Sequence, residues 1–146
     1  LGVRVVLARF GVVLARGGGA MARMELPFKL GLGGPLGSGR QAFPWIHRDD
    51  ALGAVRFALD SGELSGPVNF AAPGAVTNAE FSKALGRALR RPALLPAPAF
   101  AVRLALGELS GMLLGGQRAV PKKLLAAGYA FKHPEIAGAL ADLYRR

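Results

Sequence analysis

The sequence predicts an α/β protein with a helix-rich C-terminal tail. Three observations carry this reading. Val3 to Leu14 is rich in β-branched side chains, Pro67 to Ala72 alternates Val68, Phe70 and Ala72 with its neighbours, and the segments after Thr77 place apolar residues at helical spacing.

Taken in order, Val3 to Leu14 ends at Ala15-Arg16-Gly17-Gly18-Gly19, which reads as a buried strand followed by a flexible loop. Ala20 to Phe28 is a short helix cut by Pro27. The glycine-dense stretch Leu30 to Arg40 is a loop that leads into the short strand Phe43-Pro44-Trp45-Ile46. Asp49 is placed as an N-cap and Asp50 at the positive end of the helix dipole, so a helix follows from Asp50 to Asp60 with Leu52, Val55 and Leu59 as its apolar stripe. After the strand Pro67 to Ala72, Thr77-Asn78-Ala79-Glu80 is a capping box. It opens a helix with Phe81, Ala84, Leu85, Ala88 and Leu89 on one stripe, terminated by Pro92. Beyond Pro96 and Pro98 comes a long apolar helix, Ala99 to Leu114, weakened by Gly107 and Gly111. A further helix starts with Pro121 and stops at Gly128, Tyr129 to Phe131 is extended, and Pro134 to Tyr144 forms the last helix through Ile136, Leu140 and Leu143.

The 146 residues, 51% of them hydrophobic, suffice for one core of ordinary domain size. The chain opens on Leu1 and an apolar run with no initiator methionine, so the expectation is an element entered part-way, with an N-terminal part missing. Arg4 and Arg9 interrupt that run and exclude a secretory hydrophobic region. No uncharged apolar stretch reaches the ~18 residues of a membrane span, because Pro92 to Leu106 is broken by prolines and Arg103. A soluble chain without a membrane partner is therefore expected. The absence of cysteine removes disulfides, thiolate metal sites and cysteine nucleophiles, and fits a cytoplasmic protein. A net charge of +10 raises the question of nucleic acid, but no basic run exceeds the pairs Arg90-Arg91, Lys122-Lys123 and Arg145-Arg146, so no nucleic-acid partner is expected.

Catalytic and cofactor motifs are sparse. Gly17-Gly18-Gly19-Ala20-Met21-Ala22 fits GxGxxA after a strand, but no second strand ending in an acid lies about twenty residues on, as a dinucleotide fingerprint requires. Gly37 to Ala42 fits the same pattern and leads into Phe43-Pro44-Trp45, which makes it a turn. Two histidines, His47 and His133, exclude a three-histidine metal site, and a two-histidine site needs distant segments to meet, so no metal is expected. His133, ahead of Pro134 at a helix entrance, reads as structural. No GxSxG elbow supports a nucleophilic serine, so the chain offers no self-sufficient catalytic constellation.

The blocks Arg9-Phe10-Gly11-Val12-Val13-Leu14, GLGGPLGSGRQAFPWIHRDD, GPVNFAAPGAVTNAEF and QRAVPKKLLAAGYAFKHPEIAGAL, in that order, resemble an atypical extended short-chain dehydrogenase/reductase. They are similar to the epimerase-family proteins related to nucleotide-sugar epimerases, whose C-terminal domain of uncharacterised role ends in this kind of tail. The resemblance covers essentially the whole chain. It implies a Rossmann-like parent of about twice this length, in which an absent N-terminal half binds NADP and the present part closes over a small-molecule substrate. Residues 1–95 would be the C-terminal strands and substrate-side segment, and residues 96–146 the helical C-terminal domain. The resemblance assigns Arg9, Gly11, Val12 and Val13 to the nicotinamide end of the cofactor and Gln41, Trp45 and His47 to the substrate pocket. It supplies no catalytic residue, since the family's tyrosine and lysine, separated by three residues, have no counterpart, and Tyr129 and Lys132 are separated by two. Phe43 stands where sugar-nucleotide epimerases bring an arginine to the substrate's phosphates. The implied function is the substrate side of an NADP-dependent oxidoreductase or epimerase-like enzyme, inactive by itself, which moves a hydride between NADP and an alcohol or carbonyl. The alternatives are a non-catalytic nucleotide- or ligand-binding protein that retained the fold, and an autonomous basic domain, which the unpaired edge of the first strand disfavours.

Overall fold

In the computed structural model, which describes residues 2–145, the opening β-branched run forms two strands, β1 (Val6–Phe10) and β2 (Val12–Leu14). Leu1 and Arg146, the ends of the opening apolar run and of the last basic pair, lie outside these residues. The division falls at Gly11, where the chain changes partner. β1 pairs in parallel with β5 (Gly66–Phe70), Val6 opposite Gly66 and Phe10 opposite Phe70, whereas β2 pairs in parallel with β4 (Trp45–His47), Val12 opposite Trp45. The Gly11 N–H still donates to the Phe70 carbonyl at 3.0 Å, and the Val12 N–H donates to that of Pro44 at 2.8 Å. A Cβ at position 11 would lie 2.8 Å from the Pro44 carbonyl carbon and 2.9 Å from the Trp45 nitrogen, so the crossing requires glycine. Pro44 separates β4 from β3 (Ala42–Phe43), which pairs antiparallel with β6 (Val76–Thr77).

Helix α1 (Gly19–Lys29) is not cut at Pro27 as expected but runs through it. The missing N–H and ring clash of a late-helix proline cost about 3 kcal/mol. Met21, Met24 and Phe28 are buried on one side of this helix, and each contributes about 1.5–3 kcal/mol, so packing outweighs the proline. Helix α2 (Arg48–Asp60) brings two corrections. Its N-cap is His47 rather than Asp49, the imidazole Nδ1 accepting from the Asp49 N–H at 3.0 Å. Its buried face is Ala51, Ala54 and Ala58, while Leu52 and Leu59 of the expected stripe are 65% and 74% exposed. Alanines let the helix axis approach the sheet closely, and the larger side chains are left outside.

Helix α3 (Asn78–Leu89) opens on the expected capping box: the Thr77 N–H donates to Glu80 Oε2 at 2.7 Å and the Glu80 N–H to Thr77 Oγ1 at 3.2 Å. It ends before Pro92, at Arg90, whose left-handed φ of 56° lets the Arg91 N–H return to the Gly86 carbonyl. The apolar segment after Pro98 is two helices, α4 (Ala99–Leu106) and α5 (Leu109–Gly115), because Gly107 adopts φ 56° and ψ −127° and breaks the helical path. Helices α6 (Lys122–Ala126) and α7 (Ile136–Leu143) follow, and Tyr129 to Phe131 between them belongs to neither helix nor strand.

The strands lie between two apolar clusters. Trp45 enters one with Leu14, Phe28, Phe81 and Leu140; Ile46, the next residue, enters the other with Ala54, Phe70 and Leu124. This period-2 alternation places α1, α3 and α7 on one side of the strands and α2 and α6 on the other. β1 remains naked on its outer edge, with Leu7 55% and Phe10 43% exposed.

Candidate functional site

A cleft of about 590 Å³ opens at the carboxyl ends of the parallel strands β1 and β5, where doubly wound sheets place their ligands. Arg9 and Phe10 reach it from β1, Asn69 from β5, and Phe43 from the corner between β3 and β4. Gln117 and Arg118 close it from the segment between α5 and α6. That segment is fixed to the strands at both ends. Gly116, at φ 53°, packs so tightly that a Cβ would meet the Gln41 Cβ at 2.6 Å, and Asn69 Nδ2 donates to the Val120 carbonyl at 3.3 Å. A second hollow, of about 380 Å³, lies between α1, α3 and α4; Met24, Phe28, Phe81 and Val102 make it largely apolar, and it gathers no pair of ionisable groups.

The residues expected at the site fall into two sets. Arg9 and Val12 line the cleft, Gly11 forms the strand crossing beneath it, and Val13 points to the exposed side. Gln41, Trp45 and His47 stand one layer behind. Gln41 Nε2 donates to the carbonyls of Leu36 and Leu113, Trp45 Nε1 donates to that of Gly74 at 3.0 Å, and His47 is fully buried. Phe43 stacks on Phe81 with ring centroids 4.0 Å apart, so the position that lacks the family's arginine is used for packing. Asn69, Gln117 and Arg118 fall within blocks that carry the resemblance but were not assigned to the site, because only tertiary folding brings their segments to the strand ends.

Two distant segments do meet behind this layer. The rings of His47 and His133 stack with centroids 3.9 Å apart, and ligating atoms of His47, Asp49, His133 and Asp142 lie within 4.8 Å of one another. Such a donor set invites a metal reading, but the His47 tautomer opposes it. Nδ1 already spends its lone pair on the Asp49 N–H, so in the neutral ring Nε2 carries the proton and has no lone pair to give. Nε2 sits 3.1 Å from Asp142 Oδ2, out of line for a hydrogen bond. The group is therefore read as a structural joint between the start of α2, the segment before α7, and α7 itself.

That joint is pH-sensitive. Burial above all, and then the neighbouring His133, lower the His47 pKa from its ordinary 6.5, against the pull of Asp49 and Asp142. The neutral form is the one that caps α2. As the pH falls through 6.5 the unfolded chain takes up a proton that the folded chain resists, so stability present above 6.5 is lost below it. Thermal melts followed by circular dichroism should show the melting temperature falling between pH 7.5 and 5.5. His47→Asn, which keeps a capping oxygen without titrating, should flatten that fall, and an unchanged slope in the variant would rule His47 out as its source.

Residues 97–143 match a domain of unknown function, DUF1731. The chain is 53% identical over 141 residues to epimerase family protein SDR39U1 of Mus musculus, covering 96% of this chain and 48% of that protein. It superposes on the crystal structure of human epimerase family protein SDR39U1 (isoform 2) with NADPH at a TM-score of 0.89 and 48% identity, over 97% of this chain and 48% of that one. A nucleoside-diphosphate sugar epimerase from Corynebacterium glutamicum matches at a TM-score of 0.74 and 29% identity, over 98% of this chain and 26% of that one. The chain thus spans about half the length of the relatives it matches.

Proposed function

The chain belongs to the epimerase family, its fold is that of the C-terminal part of the extended short-chain dehydrogenases/reductases, and on that premise we propose that it is the substrate-side half of an NADP-dependent oxidoreductase or epimerase-like enzyme. The observation that carries this reading is the naked parallel edge of β1. Parallel sheets are normally covered on both faces and continued at both edges, yet among the described residues β1 pairs with β5 alone, and its Leu7 and Phe10 are exposed. A further parallel strand with its own helices would pair that edge and cover both side chains. The cleft then lies where the two halves face each other.

In this arrangement residues 1–95 supply strands and the cleft floor, and residues 96–146 supply the wall that bears Gln117 and Arg118. Arg9, Gly11, Val12 and Val13 border the nicotinamide end of NADP, whose part is to donate or accept a hydride at a substrate alcohol or carbonyl. The fit to this chain is partial. The strand crossing at Gly11 permits close backbone approach, but the loop Gly17–Gly19 lacks the rest of a dinucleotide fingerprint, since the next strand, β3, ends at Phe43 without an acid. The dinucleotide phosphates are accordingly assigned to the other half. Gln41, Trp45 and His47 act as supports that hold the cleft wall in place.

Covering of the exposed face provides the test. The isolated 146-residue chain is expected to bind anilinonaphthalene sulfonate and to self-associate in analytical ultracentrifugation, and the full-length protein to do neither through this face. An isolated chain that is monomeric and silent to the dye would remove the basis of the reading.

A further inference from the structure

We infer that the hollow between α1, α3 and α4 binds an uncharged, apolar molecule bearing a carbonyl oxygen, to which Asn78 and Ser82 donate. Six polar side chains are buried among the described residues: Glu25, His47, Asp50, Asn78, Ser82 and Ser110. Glu25 bonds Tyr144, Asp50 receives the tail, Ser110 Oγ donates to the Gly107 carbonyl, and His47 caps α2. Asn78 and Ser82 differ from these. They are 1% and 3% exposed, both line the hollow, and each keeps a polar atom that has no hydrogen bond among the described residues. The Leu36 N–H donates to Asn78 Oδ1 at 2.7 Å, which fixes the amide and leaves both protons of Nδ2 unused. Ser82 Oγ is the second free group. Neither atom is sealed, since the sealed and unbonded polar atom among the described residues is His47 Nε2, so both open on the hollow that their residues line. Buried polar groups are ordinarily paired, and two left open to one cavity mark a place for a ligand's polar atom. Residues four apart on a helix share a face, with about 5–6 Å between their Cβ atoms, so the two donors of α3 converge on a single acceptor. A carbonyl oxygen, with two lone pairs, takes both.

The remaining wall determines the rest of the ligand. Met24, Phe28, Phe81 and Val102 make the hollow apolar, and Ala101 and Ala105 of α4, too small to fill it, leave about 380 Å³. An apolar cavity of about 150 Å³ takes one benzene ring, so a molecule of two rings fits. Among the described residues only Arg23 brings a charge to the lining, and it is exposed to water. A charged ligand would exchange water for a wall without a buried counter-charge, which selects a neutral one. One side of the hollow is fixed in advance: the Gly37 N–H donates to the Ala97 carbonyl at 2.8 Å and the Ala97 N–H to that of Pro35 at 2.9 Å, tying the loop before β3 to the segment before α4. A preformed pocket spends little of its binding energy on ordering itself. The hollow shares no lining residue with the cleft at the strand ends. Phe81 on its side stacks on Phe43 on the cleft's side, and this ring pair stands between the two.

Benzophenone and diphenylmethane, two-ring molecules that differ in the carbonyl, are titrated calorimetrically into the full-length protein without nicotinamide cofactor, so that no hydride is available to the ketone. Benzophenone should bind about tenfold more tightly, the discrimination expected of one or two hydrogen bonds made in a buried site. Asn78→Asp keeps the acceptor for the Leu36 N–H and puts an oxygen where Nδ2 stood, so the preference should vanish while the melting temperature followed by circular dichroism holds. Ser82→Ala breaks no side-chain bond among the described residues and should lower the preference about threefold, which decides the matter if Asn78→Asp does not fold. Ala101→Phe, which sets a ring in the hollow, should abolish binding of both molecules. Equal affinity for ketone and hydrocarbon, no binding of benzophenone, a preference unmoved by the Asn78 and Ser82 variants, or binding that survives Ala101→Phe would overturn the inference.

Discussion

Asp50→Ala is expected to lower the melting temperature by on the order of 10 °C, the largest stability loss anticipated for a single side chain outside the apolar core. Asp50 has no exposed surface, and its carboxylate receives three donors from the tail: the Tyr129 hydroxyl at 3.0 Å and the Lys132 and His133 amides at 2.8 Å each. The tyrosine is held in its protonated, donating form, since burial first and the bond to Asp50 second raise its pKa above the ordinary phenol value. Alanine leaves two backbone N–H groups without an acceptor, and each such group costs about 1–3 kcal/mol when buried. Together with the lost hydroxyl bond this amounts to about 3–5 kcal/mol. Asparagine should recover part of the loss, because its Oδ1 can still accept from the Tyr129 hydroxyl and the Lys132 amide while its NH2 group faces the His133 N–H. The check is a pair of measurements, denaturation by circular dichroism and hydrogen exchange at Lys132 and His133, where both amides should lose protection. A change of less than about 0.5 kcal/mol would mean that the tail is held by other means.

Nothing in the sequence marks Asp50 for this task. Adjacent acids at a helix start read as cap and dipole partners. The structure shows a different logic: the tail folds back across α2, and the buried acid satisfies amides that would otherwise have no partner. A comparable joint at the other end couples Tyr144 to the buried Glu25, which also pairs with Lys29 at 2.8 Å. Local features were legible. Thr77-Asn78-Ala79-Glu80 encodes its capping box through residue types at fixed spacing, and the alternation around Val68 and Phe70 follows from strand geometry alone. Features set by what packs from outside were not. Pro27 reads as a helix stop until the burial of Met24 and Phe28 is known, Leu52 and Leu59 outrank alanines until the helix-to-sheet distance is known, and Gly11 reads as one residue in a strand until Pro44 is seen against it. The site divides in the same way. Arg9 and Val12 came from the family resemblance, whereas Arg118 reaches the cleft only because the segment between α5 and α6 folds over the strand ends.

Nicotinamide dinucleotide binding separates the proposed half-enzyme from a self-sufficient domain more completely than any stability measurement. A pyrophosphate site needs a glycine turn between a strand and a helix N-terminus, with an acid at the end of the next strand to take the ribose. Here α1 does follow β2 through Gly17–Gly19, but β3, the next strand, is two residues long and ends at Phe43 without an acid. On the proposed reading this chain contributes only the nicotinamide end of such a site. The decisive measurement is calorimetric titration of NADPH into the isolated 146-residue chain and, in parallel, into the full-length protein. Saturable binding by the full-length protein with none by the isolated chain is the predicted result. Saturable binding by the isolated chain would contradict the account and place the phosphates on the loop at Gly17.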